Sequence, residues 1–192
     1  MKNNLNNNLQ NSLLLALNKP RGYICSHKDN FNRPKIYDII SKSYFRKAKG
    51  QIHSVGRLDF NSQGLILLTN NVKIKAYFEA PSSKILRIYK IKVQGLLKND
   101  HLYKIKKGIK ISNIVHRVVD IRLIKSTKSY TWANVKLNEG KNRHIRKIFE
   151  RLGFTITKLI RVQYGPYKLS TLKPGMLREL NFSIHKLPLK WE

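Results

Sequence analysis

The first apolar signal in the chain is Leu13-Leu14-Leu15-Ala16-Leu17, which reads as a buried strand. Asn18-Lys19-Pro20-Arg21-Gly22 follows as a turn, and residues 23–26 read as a second strand. Residues 27–34 are polar and loop-like, and 35–40 suit a short helix. A strand at 52–55 runs into Gly56, and residues 64–69 form a continuous apolar run, the pattern of a strand buried on both faces. Val72–Glu79 predicts a helix that stops before Pro81, because the residue preceding a proline avoids the helical conformation.

Alternation returns at 86–94, with Tyr89, Ile91 and Val93 on one face and Lys90 and Lys92 on the other. Asn99 or Asp100 caps a short helix that runs to Gly108. Two strands at 117–125 and 130–137 are joined by a Ser/Thr/Lys loop, and Asn138-Glu139-Gly140-Lys141-Asn142 is a loop. Residues 143–152 give the best helical pattern: Ile145, Ile148, Phe149 and Leu152 repeat at i, i+3, i+4 and i+7, with Gly153 at the C′ position. Strand patterns at 155–163 and 176–182 close the chain. Strands outnumber helices and mostly follow one another, which predicts an α+β domain with a large, mainly antiparallel sheet and flanking helices. Its expected extent is residues 13–185, in two closely joined halves, between a disordered Asn-rich tail at 1–12 and a short tail at 186–192.

Composition narrows the function. In 192 residues, Lys and Arg number 39 against 10 Asp and Glu, a formal charge of +29, while 41% hydrophobic residues suffice for a core. Such an imbalance excludes an acidic partner-binding protein and predicts a polyanion, above all nucleic acid, as partner. The charge is spread along the chain and not gathered on one amphipathic helix, which argues against a membrane surface. The longest aliphatic stretch, 13–17, is far short of the roughly 20 residues that cross a bilayer. The single cysteine, Cys25, excludes an internal disulfide and a multi-cysteine zinc site. The six histidines show no paired metal spacing, so no metal is expected, and the isolated His27, His53 and His185 need no special role. Trp132 and Phe149 are expected in the core.

Between Asp38 and Glu79 the chain has one carboxylate, Asp59, flanked by Gly56 and Gly64 and followed by the apolar run. Glycines permit a tight turn and a close approach of backbone to ligand. A short, stiff acid held there has the chemistry of a nucleophile or general base, particularly when a nearby cation favours its charged form. The residues alone favour the plainer role, in which Asp59 caps a turn or pairs with Arg57.

Gly56-Arg57-Leu58-Asp59-Phe60-Asn61-Ser62-Gln63-Gly64-Leu65-Ile66-Leu67-Leu68-Thr69-Asn70 resembles the signature of the RsuA/RluB/RluE/RluF family of rRNA pseudouridine synthases, with Ser62 where the family usually has Thr. Asn18–Tyr23, Arg87–Val93 and Asn138–Lys147 resemble three further elements of that family in order and spacing; Arg161–Pro166 and Leu172–Gly175 continue the match. The resemblance covers roughly residues 15–182. His144 departs from the family's frequent Gln, and only the short Asn-rich tail stands where most members carry a small RNA-binding domain.

The resemblance implies a pseudouridine-synthase fold with a central catalytic cleft, and isomerisation of a uridine in rRNA, most naturally that of the large subunit. The uracil–ribose C–N bond breaks, the base rotates and a C–C bond forms, with no metal or organic cofactor. Asp59 would be the nucleophile or base, and Arg146 would pair with it and hold it ionised. Helical geometry places Arg146 at the edge of the apolar stripe and Arg143 nearly opposite it; the competing role for Arg146 is a surface pair with Glu150. Tyr89 would stack on the base or shuttle a proton, and Arg57 would support the site. Lys19, Arg21, Arg143, Lys147 and Arg161 would bind RNA. The implied setting is a monomer in the bacterial cytoplasm. A non-catalytic rRNA-binding assembly factor, or a hydrolytic N-glycosidase needing a second acid or base, are the competing readings.

Overall fold

The computed structural model describes residues 12–180. Its strands are β1 (Leu14–Lys19), β2 (His53–Val55), β3 (Gln63–Thr69), β4 (Arg87–Gln94), β5 (Ile109–Ile111), β6 (Ile114–His116), β7 (Asp120–Ser126), β8 (Tyr130–Leu137), β9 (Ile156–Tyr164), β10 (Tyr167–Lys168) and β11 (Leu177–Glu179). Its α-helices are α1 (Lys42–Ala48), α2 (Val72–Glu79), α3 (Asn99–Lys107) and α4 (His144–Arg151). Nine strands form one sheet along the path β11-β1-β3-β9-β4-β8-β7, with β10 added to β9 and β2 to β3; β5 and β6 form a separate hairpin. Every pairing in the large sheet is antiparallel except β3 with β9.

That exception builds the centre of the molecule. One edge of β3 is taken along its length by β1. The other edge is shared: β2 pairs with residues 67–69, while β9 reaches only Gln63 and Gly64. The sheet therefore forks at β3, and the segment leaving β2 at Gly56 must cross the fork to return at Gln63. Asp59 lies on that crossing.

The continuous apolar run has two faces to fill, as its pattern requires. Leu65 and Leu67 enter one cluster with Leu14, Ala16, Ile74 and Phe78. Ile66 and Leu68 enter another with Leu15, Leu17, Ile36 and Ile52. Each such burial is worth roughly 1.5–3 kcal/mol of transfer free energy. The second half of the sheet is filled on one face, where Ile91, Val93, Ala133 and Val135 meet Ile145, Ile148 and Phe149 of α4 and Ile105 of α3. The stripe expected for 143–152 is this contact, and Gly153 (φ +78°) closes α4 by donating to Glu150 O at 3.0 Å. Asn71 caps α2 by accepting from the Lys73 and Ile74 amides.

Several expectations are corrected. Residues 23–26 form no strand; they make one isolated bridge, Ile24 with Lys35. The helix at 35–40 is a single 3-10 turn, Ile36–Ile39. Trp132 leaves the core: β8 alternates with Thr131, Ala133 and Val135 inward, so Trp132 faces outward, half-buried. Phe149 is fully buried. The strand expected at 176–182 is Leu177–Glu179, and its last two residues lie outside the described residues, as do the tails apart from Ser12.

Candidate active site

The fork opens into a cleft of about 810 Å³, within the usual range of ligand sites. Asp59, Arg57, Tyr89, Arg143, Arg146 and Arg161 line it together. Among the described residues nine lysines and arginines line this cleft against four carboxylates, Asp29, Asp59, Glu79 and Glu139, so its field is positive.

Asp59 comes from the β2–β3 crossing and Arg146 from α4, in different halves of the sheet. The Arg146 Nε lies 3.6 Å from the Asp59 Oδ2. The same guanidinium donates from Nη2 to Asn61 O at 3.2 Å and to Ser62 Oγ at 3.4 Å, and from Nη1 to Ile156 O at 3.3 Å. Arg146 thus reaches inward from the stripe's edge. The surface pair with Glu150 is made instead by Arg143, at 2.8 Å. Burial pushes the Arg146 guanidinium pKa down, partly countered by Asp59. With its side chain 12% exposed, the pair is sheltered from water on one side, while Asp59, at 36%, remains open to the cleft.

Lys19 and Arg161, expected as RNA contacts, lie inside the protein. Lys19 is 0% exposed, and its ammonium donates to Pro20 O at 2.9 Å and Ser62 O at 2.8 Å. A buried ammonium survives by saturating itself with carbonyls, and here one of them belongs to the crossing. Burial lowers its pKa to about 8, against the opposing fields of Cys25 and Asp59. Ser62 links the parts: its amide donates to Asp59 O at 2.9 Å, its carbonyl receives Lys19, and its hydroxyl receives Arg146. Arg161 is 2% exposed, and its Nε donates to Leu65 O at 2.6 Å, in the gap where β2 and β9 part from β3. Its guanidinium also lies 4.7 Å from the Tyr164 ring centroid.

Arg57 and Arg143 are exposed at the cleft, and Arg21, outside it, donates to Asn61 Oδ1 at 3.3 Å beside Asp59. Lys147 does not line the cleft; its charge falls on His116. Tyr89 is half-buried between the apolar clusters of the two halves, and among the described residues its hydroxyl makes no hydrogen bond. His144 is buried at the cleft wall, 4.9 Å ring to ring from His116 and 3.6 Å from Glu139. Burial lowers the His144 pKa to about 4, so the ring is neutral near pH 7.

The sequence reading missed Arg87, Glu79 and Tyr164. Arg87 is buried and donates to Ile85 O, Phe78 O and the Tyr164 hydroxyl at 3.0–3.3 Å. Glu79 accepts the Gly56 amide at 2.7 Å and pairs with Lys75 at 2.6 Å, which fixes the start of the crossing. The only signal for Arg87 was its place next to the Tyr89 motif, and Glu79 had none, since it acts from another helix.

An acid faces a guanidinium at a fork in a mixed sheet, in a cleft whose positive field suits a polyanion. The sequence profile of the RNA pseudouridylate synthase family matches residues 13–151, and the chain belongs to that family. It is a pseudouridine synthase, an isomerase that modifies RNA. An uncharacterized RNA pseudouridine synthase of Rickettsia typhi is 41% identical over 184 residues, covering 94% of this chain and 72% of the relative. The ribosomal large subunit pseudouridine synthase B of Buchnera aphidicola is 35% identical over 181 residues, covering 94% of this chain and 70% of the relative. A crystal structure of a pseudouridylate synthase shares the fold with a TM-score of 0.75 at 24% identity, covering 88% of this chain and 70% of that one. No described helix is long and apolar enough to cross a membrane.

Proposed function

We propose that this synthase isomerises a uridine in large-subunit rRNA, with Asp59 as the residue that acts on the nucleoside. The observation that carries the reading is the 3.6 Å approach of Arg146 to Asp59 at the wall of the cleft. The guanidinium meets the acid from one side and leaves it open to the cleft.

One buried guanidinium nitrogen, Arg161 Nη2, has no hydrogen-bond acceptor among the described residues, and another, Arg146 Nε, faces only the Asp59 carboxylate at 3.6 Å, beyond hydrogen-bond reach. Unsatisfied buried donors are costly, and both lie on cleft-lining residues. A uridine brings acceptors to such donors: two uracil carbonyls, ribose oxygens and the flanking phosphates. Isomerisation breaks the C1′–N1 bond, forms C1′–C5, moves the C5 proton off and protonates N1; composition is conserved, so no co-reactant enters.

The target nucleotide leaves its stack to enter the cleft, at a cost of a few kcal/mol, and the positive rim offsets this through phosphate contacts. Arg57, Arg21 and Arg143 are the side chains on that rim. Tyr89, with its free hydroxyl and position between the two halves, supplies a ring for the extruded base. The large-subunit target rests on the name of the Buchnera relative. In this reading the protein works as a monomer, in the bacterial cytoplasm, on ribosome precursors. The test is nucleotide-resolution mapping of rRNA from cells with the protein, without it, and with Asp59→Asn. One pseudouridine present only with the intact protein supports the reading, and identical maps overturn it.

A further inference from the structure

The β4–β8–β7 part of the sheet has a second face. Lys90, Lys92 and Gln94 project from it opposite Asn134, Trp132 and Tyr130, which are their cross-strand partners. On one side β7 sets Lys125 against Trp132, and on the other β9 sets Lys158 against Lys92. None of these residues enters the three apolar clusters. The Lys90 ammonium lies 5.1 Å from the Trp132 ring centroid, and that of Lys92 lies 4.3 Å from the Tyr130 centroid. Beside them Lys92, Gln94, Ser129, Tyr130, Thr157 and Lys158 line a groove of about 380 Å³.

Like charges directly opposite each other across a ladder destabilise a sheet, and Lys92 against Lys158 is such a pair. Among the described residues neither forms a salt bridge; the only acid paired on this face is Asp120, which serves Lys106, Arg122 and Lys136. A self-repelling basic face that keeps aromatic rings at its surface is complementary to one chemistry: phosphates with exposed bases between them. We infer that this face is a second RNA-binding surface, which holds a single-stranded segment of the substrate RNA remote from the reacting uridine. Lysines that now rest over Trp132 and Tyr130 would swing to phosphates and free the rings for base stacking. The inference rests on the RNA-modifying reading of the cleft, but is read out by binding.

The test compares the full chain with Lys92→Glu/Lys158→Glu and with a control of equal charge change on α3, Lys104→Glu/Lys107→Glu. Affinity for a long single-strand-containing rRNA transcript is measured against salt. The face variant should bind about ten-fold more weakly, with the slope of log affinity against log salt reduced by about 1.4, since each lost single-strand contact removes about 0.7. Its single-turnover rate on saturating RNA should match that of the parent. An unchanged affinity and slope, or an equal loss in the control, overturns the inference. So does a change in the sedimentation of the RNA-free protein, which would assign the face to a second copy. If the parent binds RNA through this face yet forms no pseudouridine, the proposed reaction fails while the surface stands.

Discussion

Gly64 and Arg161 are partners across the one parallel pairing of the large sheet, and they meet with no room for a β-carbon. A Cβ on Gly64 would lie 2.4 Å from the Arg161 carbonyl oxygen and 2.6 Å from its amide nitrogen, and Gly64 has φ +110°. Both obstacles are backbone, so no rotamer relieves them. Gly64→Ala should therefore cost about 3 kcal/mol or more, read as a fall in urea midpoint or as insolubility, and should pull Asp59 away from Arg146. A variant that keeps stability and activity would show that the two strands are not held this closely.

Asp59 receives no hydrogen bond on its carboxylate among the described residues, so Asp59→Asn is nearly isosteric and should fold with unchanged melting. RNA affinity should stay within a few fold, while pseudouridine formation falls on the order of 10³-fold or more. A tritium-release or mass assay on a transcript checks this.

Arg146→Ala removes both the counter-charge and the bonds to Asn61, Ser62 and Ile156. Turnover should drop on the order of 10²-fold or more, while RNA affinity falls only modestly. Equal losses in both would make Arg146 a phosphate contact and not the partner of Asp59.

Lys19→Met keeps the stem but removes the ammonium that ties Ser62 to β1. We expect a loss of roughly 10-fold or more in turnover with the RNA salt slope unchanged, because Lys19 touches no RNA. The group also titrates early. Its folded pKa of about 8 lies below the ordinary lysine value of 10.5, so the unfolded chain holds more protons between those values. From this group, stability rises as pH climbs from about 8 to 10.5, and denaturation of the parent and Lys19→Met across that range should diverge accordingly.

His144 acts with the same sign on the acid side. Its folded pKa of about 4 lies below the ordinary histidine value of 6.5, so its contribution is full above 6.5 and is lost as pH falls through that value toward 4. The amplitude is roughly 3 kcal/mol. His144→Gln should flatten urea stability between pH 6.5 and 4; an unchanged slope would place the acid sensitivity elsewhere, with His116 the next candidate, also lowered by burial.

What the sequence disclosed was what local pattern controls. The apolar run at 64–69 announced burial on both faces because six consecutive residues of one strand carry that signal unaided, and the stripe of α4 likewise carried the register that sends Arg146 inward. Lys19 and Arg161 read as surface cations because lysine and arginine usually are; their burial depends on carbonyls 43 and 96 residues away. Trp132 misled through its size, although the alternation Thr131, Ala133, Val135 already put it on the other face. The β5–β6 hairpin escaped because strands of three residues are too short to show a periodicity.

The acid and its guanidinium stand on opposite banks of a seam only two residues deep. A chain with one bank formed and the other not holds a carboxylate and a guanidinium that do not meet. The acid–guanidinium pair therefore arrives only with the finished fold, and opening either bank takes it apart.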